Sequence, residues 1–335
     1  MRINQQEFAP WLLTVLEQLT QQAQYKNNPI ILAGHDDKGL LQVAIQFLAN
    51  SLCEQSNLSP ACGHCEACHL FKSNNHPDVY YLWPQKELHE YELHGVPKGI
   101  KKYSESILID EVRQCQDFFY TASSRLQKRY VLIYPFDALN TSSANALLKT
   151  LEEPPDHLCI LLIGQALDHL PATVISRCQI VSAAIPSFLE QITWLRQQGA
   201  AEPEQLLSLA LLNAYDALQL QHSSALLNLR RKWVQWLISE DPDDRLLASV
   251  DELGISVLYQ LAMRVCYDFQ LLIEGMLPTQ FLSWIDDMQW VKRLPRDRVN
   301  TLFSVLQQEN RFAHHPLNVK LSLDFITENW HLIKQ

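Results

Sequence analysis

Glycine is scarce in this chain: nine of 335 residues, where average usage near 7% would place roughly 23. That shortage excludes a collagenous or low-complexity chain and argues against a glycine-rich phosphate cradle. Positive charge is also short. Lys and Arg number 27 against 37 Asp and Glu, a net charge of −10. A general polyanion binder driven by net charge is excluded, because such a protein repels DNA unless it focuses positive charge locally. No run approaches 18 uninterrupted apolar residues, so no transmembrane helix and no membrane partner are expected. No secretory signal is legible: the apolar patch from Trp11 to Leu16 is short and runs into Glu17 and a glutamine stretch. The expected location is cytoplasmic.

What is present is ordinary globular chemistry, 47% hydrophobic and 19% charged, with length for two to three domains. An opening helical pattern (Phe8, Trp11, Leu12, Val15, Leu16, Leu19) leads to a short buried strand at Pro29–Ala33, a turn at Gly34 and a helix from Leu40 to Leu52. Strand signals recur at Asp78–Trp83, Tyr130–Tyr134, Leu158–Ile163 and Gln179–Ser182. Between them lie a polar loop from Pro84 to Glu105, a helix for which Asp110 can supply the cap, and a helix from Ala144 to Glu152 capped by Ser142 or Ser143. Alternating strands and helices predict an α/β domain with a mostly parallel sheet. After Pro186 the strand signals stop. The segments 187–199, 203–222, 223–239, 254–275, 279–292, 295–313 and 317–333 all carry helical spacing.

The eight cysteines divide into two groups. Cys115, Cys159, Cys178 and Cys266 are scattered among apolar residues and read as small core residues. Cys53, Cys62, Cys65 and Cys68 are clustered. Four thiolates at these spacings suit a tetrahedral, structural Zn²⁺ site that leaves no position open for a substrate. The open alternatives are reduced surface thiols, or Cys53 buried in its helix with His64, His69 or His76 as the fourth ligand. His89 and His94 resemble a metalloprotease pair, but their spacing is i, i+5 rather than i, i+4, so they do not make a zinc site.

Gly34-His35-Asp36-Asp37-Lys38-Gly39-Leu40-Leu41 stands between a strand and a helix, where a phosphate-binding loop belongs. Both glycines have the right spacing. Leu40 replaces the lysine that pairs with phosphates, Leu41 replaces the hydroxyl that ligates Mg²⁺, and Asp36 and Asp37 would repel a triphosphate. The acidic pair of a working ATPase is also missing: the strand at Val131–Ile133 runs into Tyr134 and Pro135. Asp110-Glu111 looks like such a pair but follows too short an apolar run.

Two further motifs are Leu147-Leu148-Lys149-Thr150-Leu151-Glu152-Glu153-Pro154-Pro155 and Thr173-Val174-Ile175-Ser176-Arg177-Cys178. On their own they read as an amphipathic helix with a proline stop and a solvated arginine. Together with the cysteine cluster after the phosphate-loop helix, they resemble the bacterial sliding-clamp loader family of the AAA+ ATPases. The resemblance covers residues 1 to about 185. It implies an AAA+ parallel-sheet domain at 1–184 with an inserted zinc module at about 53–68, a small helical lid domain at 185–222 and an all-α collar at 223–335. It also implies a hetero-oligomer with motor (gamma/tau-like) and clamp-opening (delta-like) subunits, acting on a sliding clamp and primed DNA.

The lost lysine and acidic pair, beside the retained Ser-Arg-Cys, are similar to the loader's non-hydrolysing stator. That similarity implies no ATP of its own. Arg177 would be an arginine finger acting in trans on a neighbour's ATP, with Ser176 and Cys178 flanking it, and Arg113 would meet the DNA backbone. The second sensor motif of the family is absent, since Asn213-Ala214-Tyr215-Asp216-Ala217 stands in its place. The alternatives are an active motor subunit, or a zinc-containing DNA-binding protein.

Overall fold

A computed structural model describes residues 8–25, 28–55, 60–85, 104–124, 128–240, 244–310 and 319–334. Most of the Pro84–Glu105 loop, including His89 and His94, lies outside the described residues. The chain forms two compact units, Met1–Pro186 and Ser187–Gln335. Among the described residues no helix is long and apolar enough to cross a membrane.

Among the described residues, the first unit is built on five strands: β1 (Ile30–Ala33), β2 (Val79–Leu82), β3 (Arg129–Ile133), β4 (Leu158–Gly164) and β5 (Gln179–Ser182). Their order is β2-β3-β4-β1-β5, and all neighbours pair in parallel. Strands β1, β3 and β4 are buried throughout, as the apolar runs Ile30–Ala33, Tyr130–Ile133 and Leu158–Ile163 predict for a sheet covered on both faces; Arg129, which opens β3, is buried beside Asp78. One layer includes α4 (Ile109–Tyr120), α5 (Thr141–Glu152) and the short α6 (Ala172–Ile175). From them Val112, Cys115, Phe119, Ala144, Leu147, Leu151 and Val174 enter the same core as Ile31, Ile133 and Leu162. Two further helices, α1 (Leu13–Tyr25) and α2 (Asp37–Leu52), pack on each other, and the short α3 (Glu66–Lys72) follows.

Two caps differ from expectation. Asp110 lies inside the first turn of α4, not at its start. The helix begins after Leu108, whose N–H donates to Glu111 Oε2 at 2.8 Å. Similarly α5 begins at Thr141, because Asn140 Oδ1 accepts from the Ser143 N–H at 2.9 Å. Ser143 is buried and its hydroxyl turns back to the Asn140 carbonyl.

The second unit is helical: α7 (Phe188–Gln197), α8 (Pro203–Leu209), α9 (Ala214–His222), α10 (Ser224–Ile238), α11 (Val250–Leu253), α12 (Ile255–Ile273), α13 (Arg296–Asn310) and α14 (Val319–Lys334). Residues 203–222 are two helices, not one. Leu211 and Leu212 take φ of 58° and 60°, and Asn213 Oδ1 caps α9 through the Asp216 N–H. Arg230 and Arg264 donate to the freed carbonyls of Leu209 and Leu211, each at 2.7 Å.

The segment 279–292 is also not a helix. Its start is drawn onto α12 by Asp268, fully buried, whose carboxylate accepts from the N–H groups of Thr279, Gln280 and Phe281. It continues as 3₁₀ turns at Leu282–Trp284 and Gln289–Arg293. Burial raises the Asp268 pKa, opposed by those N–H donors. Leaving such donors unmade in the interior costs about 1–3 kcal/mol each, which accounts for a buried carboxylate at this point of the helical unit.

Candidate functional site

Among the described residues of the first unit, three places carry chemistry: the phosphate-loop position, the cysteine cluster and the rim around Arg177.

At the phosphate-loop position, α2 opens where a nucleotide's phosphates would meet its free N–H groups. Here the chain occupies that position itself. Asp36 accepts from the Gly39 N–H at 2.9 Å. Gly39 is required: a Cβ would stand 2.3 Å from Asp36 Oδ2 and 2.9 Å from Leu12 Cδ1. Leu40 and Leu41 are 0% and 1% exposed, so the positions of the absent lysine and hydroxyl belong to the core. An ammonium placed there without a partner would be strongly disfavoured.

Opposite, Asp37 accepts from Tyr134 Oη at 3.0 Å and from Gln165 Nε2 at 3.1 Å. Asp137 accepts from the Gln165 N–H at 3.0 Å, and its Oδ1 lies 2.7 Å from His169 Nδ1. The carboxyl ends of β1, β3 and β4 are thus tied together across the position a nucleotide would take. Sequence reading missed this network. The alternation of strand and loop puts those ends together, but nothing in the spacing pairs Asp37 with Gln165.

The cysteine cluster forms at the end of α2 and the start of α3. Cys53 is the C-cap of α2, Cys65 the N-cap of α3, and Cys68 lies in its first turn. The four Sγ atoms all lie within 4.8 Å of one another. A tetrahedral Zn²⁺ with sulfur at about 2.3 Å needs sulfurs roughly 3.8 Å apart. Cys62 Sγ and Cys68 Sγ are 4.0 Å apart. The N–H of Cys62 donates to Cys53 Sγ at 3.3 Å, that of Cys65 to Cys62 Sγ at 3.4 Å, and that of Cys68 to Cys65 Sγ at 3.4 Å. Such bonds favour the thiolate form that binds metals.

Burial opposes ionisation of Cys53, but backbone donors at Cys62 and Gln55 bring its thiol below the usual value. Burial pushes Cys68 up to about 12. The donor set fits a metal: Cys53, Cys62, Cys65 and Cys68 would hold it. His64 faces the Cys62 carbonyl instead, at 2.8 Å. Cys115, Cys159 and Cys266 are buried, and burial raises each thiol.

Arg177 follows α6 and precedes β5. Its guanidinium donates to Glu152 through Nε at 2.8 Å and through Nη2, and to the Thr173 carbonyl through Nη1 at 2.7 Å. Ser176 Oγ is 3.3 Å from the same Nη1. Arg177 and Ser176 share a shallow cleft of about 500 Å³ with Asn28, Leu151, Glu152 and Pro154. The two motifs singled out in the sequence therefore meet. Cys178 is half-buried and packs against the sheet core, where burial pushes its thiol up to about 12. Arg113 is exposed on α4 and pairs with Asp110 at 3.3 Å, apart from this cleft.

Residues 10–186 match the family described as DNA polymerase III, delta subunit. The chain belongs to this family. It is 30% identical over 205 residues to DNA polymerase III subunit delta' of Pseudomonas aeruginosa, covering 60% of this chain and 57% of that one. It is 29% identical over 212 residues to subunit delta' of Escherichia coli, covering 61% and 57%. The matched region spans less than two thirds of these relatives. Among solved structures, a gamma subunit-related protein of Thermotoga maritima aligns over 96% of this chain and 99% of that one, with 19% identity and a TM-score of 0.46.

Proposed function

We propose that this chain is the non-hydrolysing, delta'-type subunit of the clamp loader of a DNA polymerase III. In this reading it helps place a sliding clamp on primed DNA while motor (gamma/tau-like) subunits hydrolyse ATP and a delta-like subunit opens the clamp. The observation that carries the reading is the phosphate-loop position. Asp36 caps the helix end that would bind phosphate, and Leu40 and Leu41 are buried where the lysine and the hydroxyl would be. A site with a carboxylate at the helix start and two core leucines lacks the lysine and the hydroxyl that pair with a triphosphate and its Mg²⁺.

Arg177 supplies what this chain gives to hydrolysis. A guanidinium at a subunit rim offsets charge developing on a transferred phosphoryl group, an effect worth roughly 10³–10⁵ in rate in other NTPases. Ser176 and Cys178 shape its surroundings, and Arg113 meets the DNA backbone. Zn²⁺ on the four cysteines has a structural role, fastening the end of α2 to α3. The boundaries at 185–222 and 223–335 separate a lid from an oligomerising collar.

Titration calorimetry of the isolated chain with ATP and Mg²⁺ tests the carrying observation. No binding at micromolar affinity is expected; micromolar binding would favour a motor subunit instead.

A further inference from the structure

Arg177 stands at the rim of the first unit, yet its guanidinium is committed within its own chain. Nε and Nη2 both donate to Glu152 Oε1, and Nη1 faces the Thr173 carbonyl and Ser176 Oγ. A guanidinium offers five N–H donors in a fixed fork, and carboxylates and phosphates compete for the same edge. Glu152 is the last residue of α5. Leu151 beside it is buried in the core, and Pro154 and Pro155 restrict the backbone just beyond it. The carboxylate is therefore presented by a fixed helix end, not by a free loop. Arg177 and Glu152 also line one cleft, so a phosphate entering it meets both, and the acidic partner cancels much of the attraction the arginine would exert.

We infer that Glu152 is an intramolecular latch on Arg177. It orients the guanidinium and neutralises it until the phosphate of a neighbouring subunit's nucleotide displaces the carboxylate. The inference rests on the finger reading of Arg177 given above. Glu152 is a positioning residue: it touches no substrate and acts only through Arg177. The latch suppresses hydrolysis that no DNA has triggered, and it yields when DNA binding to the assembled loader presses a phosphate against the rim. Both side chains are partly exposed, 31% for Arg177 and 50% for Glu152, so the effect is modest. Exposed ion pairs of this kind shift an equilibrium by about 1.5- to 5-fold.

The test is ATP turnover by the reconstituted loader without DNA, carrying in turn the native chain, Glu152→Gln, Arg177→Ala and the double variant. Glutamine keeps the shape and one acceptor and removes the charge. The expected result is a rise of about two- to fivefold for Glu152→Gln, within the range for such pairs, that vanishes in the Arg177→Ala background. If Arg177→Ala slows turnover while Glu152→Gln leaves it unchanged or lowers it, the latch is overturned and the finger stands. A rise that persists without Arg177 also overturns the latch, since Glu152 would then act by another route. If Arg177→Ala leaves turnover unchanged also with clamp and primed DNA present, the finger reading fails and the latch with it.

Discussion

Arg177 and Glu152, 25 residues apart in the chain, form a charge-assisted pair in which one carboxylate oxygen receives both Nε and Nη2 of the guanidinium. The pair joins the end of α5 to the turn after α6, and so joins the two motifs that carry the family resemblance. Position 177 is consequently fixed by hydrogen bonds that its own unit supplies. Ser176 and the Thr173 carbonyl complete its surroundings, leaving the arginine at the surface and oriented.

The four-cysteine cluster predicts one bound metal ion per chain. Elemental analysis of protein purified without chelator should find about one zinc, and Cys65→Ser should lose most of it. Replacement by Co²⁺ should give intense thiolate-to-metal absorption that the Cys65→Ser variant lacks. The effect on stability should be local, because the cluster contributes a small core of its own with Ala61 and Ala67. Native protein purified without chelator that carries no zinc would count against the metal site.

Restoring the missing phosphate-loop chemistry should fail. Leu40→Lys combined with Leu41→Thr puts an ammonium and a hydroxyl at positions that are 0% and 1% exposed, and Asp36 still occupies the helix end. Loss of two buried leucines in this way should cost several kcal/mol. Thermal melting should show a lower midpoint, and calorimetry should show no gain of ATP binding. A stable variant that binds ATP would mean that the loop reopens readily.

Gly164→Ala tests the network between strand ends. Its Cβ would lie 2.3 Å from Asp137 Oδ2 and 2.8 Å from the Phe136 ring, so either Asp137 gives up its bonds to Gln165 and His169 or the end of β4 moves. The expected loss is about 1–3 kcal/mol, read by urea unfolding. An unaffected midpoint would show that the strand end yields at no cost.

In the second unit, Asp268→Asn should destabilise by about 1–3 kcal/mol, because an amide nitrogen then faces backbone N–H donors that need an acceptor. Urea unfolding checks this, and Leu261→Ala in the same helix supplies a core-cavity reference. A change smaller than a few tenths of a kcal/mol would mean that the 279–281 loop finds other acceptors.

The sequence made legible whatever depends on short-range pattern. The apolar runs within β1, β3 and β4 identified buried strands, and the cysteine spacing identified a cluster whose sulfurs converge. Where contacts come from afar, the pattern carried less. Asn140 rather than Ser142 or Ser143 caps α5, because Ser143 is drawn into the core. Residues 203–222 split because arginines on α10 and α12 satisfy the carbonyls left at the break. Residues 279–292 lack a regular helix because Asp268, on α12, takes three of their N–H groups. At the phosphate-loop position the missing lysine was legible. Its replacement by a closed network of Asp37, Tyr134 and Gln165 was not, because those residues meet only when β1, β3 and β4 lie side by side.

The most direct measurement is steady-state ATP hydrolysis, with clamp and primed DNA present, by a loader reconstituted with Arg177→Ala in place of the native chain. Circular dichroism and an unchanged melting midpoint would establish that the variant is folded. The account predicts hydrolysis at the site facing this chain slowed by about 10³-fold or more, the lower end of the range for arginine fingers, with assembly intact. Hydrolysis at the native rate at that site would contradict it.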